Sequence, residues 1–408
     1  MSRLETGTRG RWVRSITTGI ALATLAVAVA LPISTFRAHG LHAVNATSDI
    51  GVPCADGVQF LGFSDALNKT AFGGFAVAEL SGLAYDRTTG DYMAVADRAG
   101  AVATHMFDLT IPLEGGVLGT PAITGVTVLT GPGGGVLNGS NFDAEGVVVS
   151  KSAEVIIASE SGSAAGQQPE VAVFNPDGSY IADLAVPAKF QIGANNGSFE
   201  SLAMSPNGHS LFTAMELPLA VDGRTSDLRS RVRIVQWENR GLEGFVPVAE
   251  YFYLTEPGRT TTDVGVAELV ALSETDLLVL ERGFVAGQGN TIRIFHVSLV
   301  SAPEVSAVAS LATADADTHA SALAAKTLMV DVANCPASGT TNPPDDPANP
   351  LLENFEAMTL GPQLDAGWQA LILMSDDNLA ANQTTRVVAL AVRQSMLVGQ
   401  DDLTEPSN

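Results

Sequence analysis

Residues 199–216 read FESLAMSPNGHSLFTAME: an acid, a short apolar stretch, a Ser-Pro-Asn-Gly turn, a second apolar stretch and another acid. The turn residues suit the dihedrals of a tight reversal, so the segment is predicted as a β-hairpin with a carboxylate at each open end. The same figure recurs from Glu79 to Asp97, Glu145 to Glu160, Glu268 to Glu281 and Glu356 to Asp376, making five copies at spacings of 55 to 88 residues. One hairpin cannot bury its apolar face alone, so repetition on this scale predicts a radial or stacked array of β-units.

Working outward, each copy extends to four strands. In the second, GVVV (146–149), EVIIAS (154–159), VAVFN (171–175) and YIADLAV (180–186) alternate with turns such as NPDG (175–178). The third continues through RVRIVQW (231–237) and VAEYFYL (248–254), and the fourth through TIRIFHV (291–297) and KTLMVDV (326–332). The first ends in VTVLTG (126–131). Four strands per unit in a ring is the β-propeller pattern. The expected fold is therefore all-β, a propeller of five four-stranded blades, with six as the alternative if 303–345 or another long connection hides a degenerate blade. The fifth unit has three strands, AMTL, ALILMS and RVVALAV (386–392), and VQFLGF (58–63) is predicted to supply the fourth and close the ring.

That closure places Cys54 just before the outer strand of the last blade and Cys335 just after the outer strand of the fourth, so these two cysteines, the only ones, are expected to pair, two separate thiols being the alternative. A bond closing so long a loop stabilises by a few kcal/mol, and it needs an oxidising compartment. Arg3, Arg9, Arg11 and Arg14 precede an apolar run from Ile16 to Ile33, with Val44 and Ala46 beyond it. This has the form of a secretory leader cleaved near Ala46, an uncleaved single-span anchor being the alternative. The expected organisation is a signal peptide over 1–46, a propeller over 47–394 and a tail over 395–408, in a secreted protein (extracellular or periplasmic) without stable membrane insertion after cleavage, and a monomer.

The formal charge is −23, and a leader holding five arginines and one glutamate carries +4, so its removal leaves −27. Such a chain, with only 4 lysines, repels nucleic acid and favours cations. In a propeller the first strand of each blade lines the channel and the second runs antiparallel, so the two acids of each copy lie at one face. Glu79, Glu145, Glu200, Glu268 and Glu356 are expected to ring one mouth, with Asp97, Glu160, Glu216, Glu281 and Asp376 outside them. Ten such carboxylates must be protonated, paired with arginine or neutralised by metal. Calcium, which takes oxygen ligands, is the expected cation, with Asp143 and Asp377 as further ligands. Zinc is disfavoured because His105, His209, His296 and His319 show no paired spacing. The alternative is a purely structural network in which Arg98 and Arg282 neutralise the acids beside them.

Several motifs together resemble one family: ELSGLAYD (79–86), FDAEGVVV (142–149), SFESLAMSPNG (198–208), LVLERGF (278–284), TIRIFHVSL (291–299), NFEAMTLGP (354–362) and LMSDDN (373–378). The chain resembles the esterase-like-activity-of-phytase group, the phytase-like domain of secreted bacterial proteins, over roughly 75 to 393. The resemblance implies a propeller and calcium-dependent hydrolysis of a small-molecule phosphoester or other ester. On that reading Glu145, Glu200 and Glu268 are the candidate catalytic carboxylates, and Arg98 and Arg282 the candidate phosphate clamps. The DDPA at 345–348 lacks the tryptophan of the alkaline phytase signature and lies in a proline-rich loop, so it is read as unrelated. Two other functions fit the same residues: a lactonase-like carboxylesterase, and a calcium-stabilised propeller that binds a glycan or protein without catalysis. No G-x-S-x-G elbow occurs; GPGGG (131–135) lacks the Lys of a phosphate loop, and DADTH (315–319) lacks the glycine of an EF-hand.

Overall fold

The second strand of each repeat is a continuous apolar run, and the fold explains why. The computed structural model describes residues 50–97, 100–160, 167–191, 197–260, 263–313, 324–337 and 347–398. The expected leader, Arg98, the DADTH segment and Asp345–Asp346 lie outside them. Within these residues five antiparallel sheets form the blades of a β-propeller. The first blade holds Leu80–Tyr85, Tyr92–Ala96, His105–Thr110 and Ala122–Val128. The second holds Asp143–Val149, Val155–Glu160, Glu170–Phe174 and Tyr180–Asp183. Ala203–Met204, Ser210–Ala214, Arg231–Asn239 and Phe245–Leu254 make the third, and Val264–Ala271, Asp276–Val285, Gly289–Ser298 and Ala325–Asp331 the fourth. The fifth is built on Phe355–Leu364, Trp368–Ser375 and Val387–Arg393; Val58–Ser64 pairs antiparallel with Val387–Arg393, and Val52–Ala55 adds beyond it. Among the described residues, the stretch 303–345 contributes the outer strand of the fourth blade to these sheets.

Hydrophobic cores lie between blades. Val155 and Ile157 point into the core shared with the first blade, Ile156 and Ala158 into the core shared with the third. Leu277 and Val279 likewise face one neighbour, Leu278 and Leu280 the other. A strand covered on both faces shows no polar alternation, because each successive side chain serves a different core. Full burial of a Leu or Phe contributes about 1.5–3 kcal/mol, and Phe107, Phe199, Trp237 and Trp368 are all 0–1% exposed at these interfaces.

The inner strands touch in sequence around the ring, each on the next and the fifth on the first. Their approach is close enough to demand glycine: a Cβ at Gly82 would sit 2.1 Å from the Glu145 carbonyl oxygen, and one at Gly146 would sit 2.3 Å from the Leu202 nitrogen. Cys54 and Cys335 form a disulfide with Cα atoms 4.2 Å apart, which ties the edge of the fifth sheet to the end of the fourth blade. Among the described residues no helix is long and apolar enough to cross a membrane.

Candidate metal centre

A register irregularity near the start of every inner strand builds the site. The last ladder pairs before it are Leu80↔Ala96, Ala144↔Ser159, Phe199↔Met215, Val266↔Glu281 and Phe355↔Ser375. The next residue on the inner strand is then Ser81, Glu145, Glu200, Ala267 and Glu356 around the ring. The next residue outward on the second strand is Asp97, Glu160, Glu216, Arg282 and Asp376. An extra residue in one strand re-aims every side chain that follows, so ladder position, not the Ala-Glu dipeptide, decides which acids converge.

Five of the expected acids meet on one side. Asp97, Asp143 and Glu145 form one group, and Glu145, Glu160 and Glu200 a second, each offering oxygens within 4.8 Å of one another. They come from the first, second and third blades, and Glu145 belongs to both groups. Glu160 Oε2 accepts hydrogen bonds from the backbone amides of Gly197 at 2.6 Å and Ser198 at 3.0 Å. Glu200 Oε2 is shielded from solvent and has no hydrogen-bond partner.

Charge accumulates here without a built-in cation among the described residues. Burial, then the charges of Glu200, Asp97, Glu160 and Asp143, push the Glu145 carboxyl far above its ordinary value. Burial followed by Glu216, Glu160 and Glu356 does the same to Glu200, against a weaker pull from Arg282. Glu160 is pushed up to about 7, burial outweighing the two amides that favour its charged form. Metal-free, this pocket takes up protons; a bound divalent cation removes the need for them.

The other side of the ring is neutralised internally. Arg282 reaches Glu216 at 2.7 Å, Glu356 at 3.1 Å and Asn354 at 2.8 Å. Burial works against the guanidinium, but Glu356, Glu216, Glu200 and Asp376 outweigh it and hold it charged. Burial and the Glu356 charge raise the Asp376 carboxyl well above the usual range.

Glu281, Glu268 and Asp377 are bound to other partners. Glu281 faces the seam between the third and fourth blades, bound to Tyr253 Oη at 2.6 Å, Lys326 at 2.8 Å and the Glu256 amide at 2.9 Å. Glu268 accepts from the amides of Leu202 and Leu269 at 3.1 and 2.9 Å, and burial raises it far above the ordinary range with no other carboxylate contributing. Asp377 pairs with Lys69 at 2.5 Å and accepts from the amide of Glu79, whose own carbonyl accepts from Asp97. The amides of Gly197 and Ser198 and the side chain of Asn354 were not legible as site residues in the sequence. A ladder alignment in place of a dipeptide alignment would have pointed to Arg282 as the fourth blade's ring residue. At the opposite, hairpin end the channel widens into a cavity of about 180 Å³ bordered by Asp86, Arg87 and Lys151, which contains none of the ring acids.

A family model for phytase-like proteins, described as esterase-like activity of phytase, matches residues 75–379. No curated protein matches the chain. Among solved structures, a periplasmic gluconolactonase of Pseudomonas aeruginosa is 11% identical, covering 79% of this chain and 90% of its own, with a TM-score of 0.31. A β-1,2-mannobiose phosphorylase from Listeria innocua is 10% identical over 86% of this chain and 95% of its own, at 0.39. A luciferin-regenerating enzyme is 11% identical over 74% and 76%, at 0.34. Scores this low transfer neither detailed geometry nor activity.

Proposed function

The chain belongs to the phytase-like family, and from that membership we propose that it is an exported, calcium-dependent hydrolase acting on phosphate or other esters at the acidic mouth of the propeller. The observation that carries this reading is the pair of carboxylate groups sharing Glu145. Their donors are all hard carboxylate oxygens, one of them the partnerless Oε2 of Glu200, and this set suits calcium better than a softer metal. Asp97, Asp143, Glu145, Glu160 and Glu200 would hold the ion.

When bound, calcium would polarise an ester or phosphoester oxygen and make a coordinated water more acidic. The chain's own part is to hold protons and position groups. Gly197 and Ser198 fix Glu160 through Oε2, which leaves Oε1 to face the ion it would hold; without the ion, burial pushes this carboxyl up to about 7. Arg282 is committed to Glu216 and Glu356, so its role is to keep that half of the ring neutral rather than to clamp phosphate. Export is supported by the leader-like sequence and by the disulfide.

A second reading, a non-catalytic propeller stabilised by calcium, draws on the origin of the five ligands in three blades, which an ion would staple together. One assay separates the two. The purified protein is offered p-nitrophenyl phosphate, phytate and short-chain p-nitrophenyl esters, with calcium and with chelator, beside Glu145→Gln/Glu200→Gln. Turnover that needs calcium and vanishes in the double variant establishes the hydrolase; calcium binding with no turnover on any substrate establishes the binding module.

A further inference from the structure

Between Glu216 and the strand Arg231–Asn239 the third blade makes a small hairpin on the face that carries the acids. Arg224 pairs antiparallel with Ser230, the Arg231 amide donates to the Gly223 carbonyl, and the Thr225 amide donates to the Arg229 carbonyl. Leu228, at φ 67°, takes the left-handed conformation that the tip needs. Residues opposite each other in an antiparallel pair project to one side. Ser230 is fully buried and its Oγ donates to the Val264 carbonyl at 2.7 Å, so Arg224 is turned toward the start of the fourth blade's inner strand. The Glu216 carbonyl accepts from the Val266 amide of that same strand. Arg224 therefore stands at the mouth, in the corner where the third and fourth blades meet.

The arginines around it are committed. Arg229 pairs with Asp227 at 3.1 Å, Arg231 donates to the Asp222 carbonyl at 3.1 Å, Arg259 donates to Gln288 at 2.7 Å, and Arg282 is held by Glu216 and Glu356. Among the described residues Arg224 has no hydrogen bond or ion pair. Its Nη2 is shielded from solvent, which seats the guanidinium, while Nε and Nη1 are open to it. The two acids whose fields reach it are already served: Asp263 accepts from the amides of Arg259 and Thr260 at 2.6 and 2.9 Å, and Glu216 accepts from Arg282 at 2.7 Å. Burial opposes the charge on Arg224 more strongly than Asp263 and Glu216 favour it.

A partly buried guanidinium with open donors and no counterion is a seat for an oxyanion. One guanidinium balances one charge, and Asp263 and Glu216 stand close by. A singly charged group is therefore favoured over a phosphate monoester, which brings about 1.5 to 2 charges near neutral pH. We propose that Arg224 is a specificity-determining residue that binds a carboxylate carried elsewhere on the substrate, so that the ester cut at the mouth belongs to an acid-bearing molecule such as the half-ester of a dicarboxylic acid. The reaction rests on the hydrolase reading; the carboxylate seat rests on Arg224, and the two can fail separately.

The test compares monomethyl glutarate with neutral dimethyl glutarate, and with phenyl phosphate as a doubly charged probe, by saturation-transfer NMR titration of the full metal-free chain near neutral pH. The native protein is expected to bind monomethyl glutarate about tenfold or more tighter than the dimethyl ester, and to lose that preference in Arg224→Gln, where the charge-assisted hydrogen bond is gone. Arg224→Lys keeps the charge but not the guanidinium geometry; it should lose part of the preference, and it keeps the question decidable if Arg224→Gln fails to fold. Because Arg224 has no partner to lose, Arg224→Gln should not lower Tm. A drop of several degrees, which would show the guanidinium paired with Asp263 or Glu216, overturns the proposal. So do equal affinities for the two glutarates, a preference unchanged in both variants, or tighter binding of phenyl phosphate. In the calcium-loaded protein, the advantage in kcat/KM of mono-p-nitrophenyl glutarate over its neutral methyl ester should shrink about tenfold in Arg224→Gln. Absent turnover of both esters with the binding preference intact sinks the hydrolase reading and leaves the carboxylate seat standing.

Discussion

The acids of one ring meet two different surroundings. On the side of the fourth and fifth blades, Glu216 and Glu356 share Arg282, with Asp376 in its field. On the side of the first three blades, Asp97, Asp143, Glu145, Glu160 and Glu200 converge without a comparable cation among the described residues. The register shift near the start of the inner strand recurs on both sides. One difference is an arginine at the second-strand ladder position where the other four blades carry Asp or Glu; the inner-strand position varies as well, with Ser81 and Ala267 where the other three blades carry Glu.

The comparison breaks most visibly if the arginine is removed. Arg282→Met leaves buried carboxylates uncompensated and is expected to destabilise the metal-free protein by about 3–5 kcal/mol. Because it makes the second half resemble the first, added calcium should recover part of that loss, read as a rise in Tm with calcium larger than in the native protein. A loss that calcium does not touch would mean that the two halves differ in shape as well as in charge.

Acidity sharpens the contrast next. Glu145, Glu160 and Glu200 have folded-state values above their unfolded ones, so their contribution favours the fold below about pH 4.5 and is withdrawn as pH rises through the folded values. Glu160 alone, raised from 4.5 to about 7, withdraws on the order of 3 kcal/mol across that interval. In chelator, Tm is expected to fall as pH goes from 4.5 to 7, and calcium should flatten the slope. A slope that is flat in chelator would show that these carboxylates do not resist ionisation.

Glu200→Gln removes one proposed ligand and the partnerless oxygen together. Calcium affinity measured by calorimetry should fall by about 10- to 100-fold, or roughly 1.4–2.7 kcal/mol. Tm should drop in calcium and far less in chelator; equal drops in both would deny the residue a metal role. The smallest effect is expected at Glu268. Burial raises its carboxyl far above the ordinary range, and glutamine can keep its two backbone bonds, so Glu268→Gln should change stability by no more than about 0.5–1 kcal/mol and leave calcium affinity unaltered. A large loss of calcium binding there would return Glu268 to the metal centre.

Much of this was readable before the structure. The four-strand units at 143–183, 203–254 and 264–331 fall where apolar runs and turn residues predicted them, because propensity and turn chemistry are local. Asp97, Glu145, Glu160, Glu200, Glu216, Glu356 and Asp376 were all expected at one face, since strand direction alone fixes which ends point there. Glu268 and Glu281 were expected beside them through a matching dipeptide or a matching distance from the turn, but each lies at a different ladder position relative to the irregularity and is bound to other partners. A one-residue slip costs the sequence pattern nothing visible, yet it carries a side chain to the opposite face of the sheet.

By itself the sequence favoured five blades over six, placed most of their strands and led to the expectation that Cys54 pairs with Cys335, because each follows from local pattern repeated and from chain order. Only the tertiary structure decided that Arg282, not Glu281, faces the ring, that Arg282 pairs with Glu216 and Glu356, and that both amide atoms of half-buried Gln167 are shielded without a hydrogen-bond partner. Those outcomes depend on register and on what neighbouring blades bring within a few ångströms, which no local reading of the chain contains.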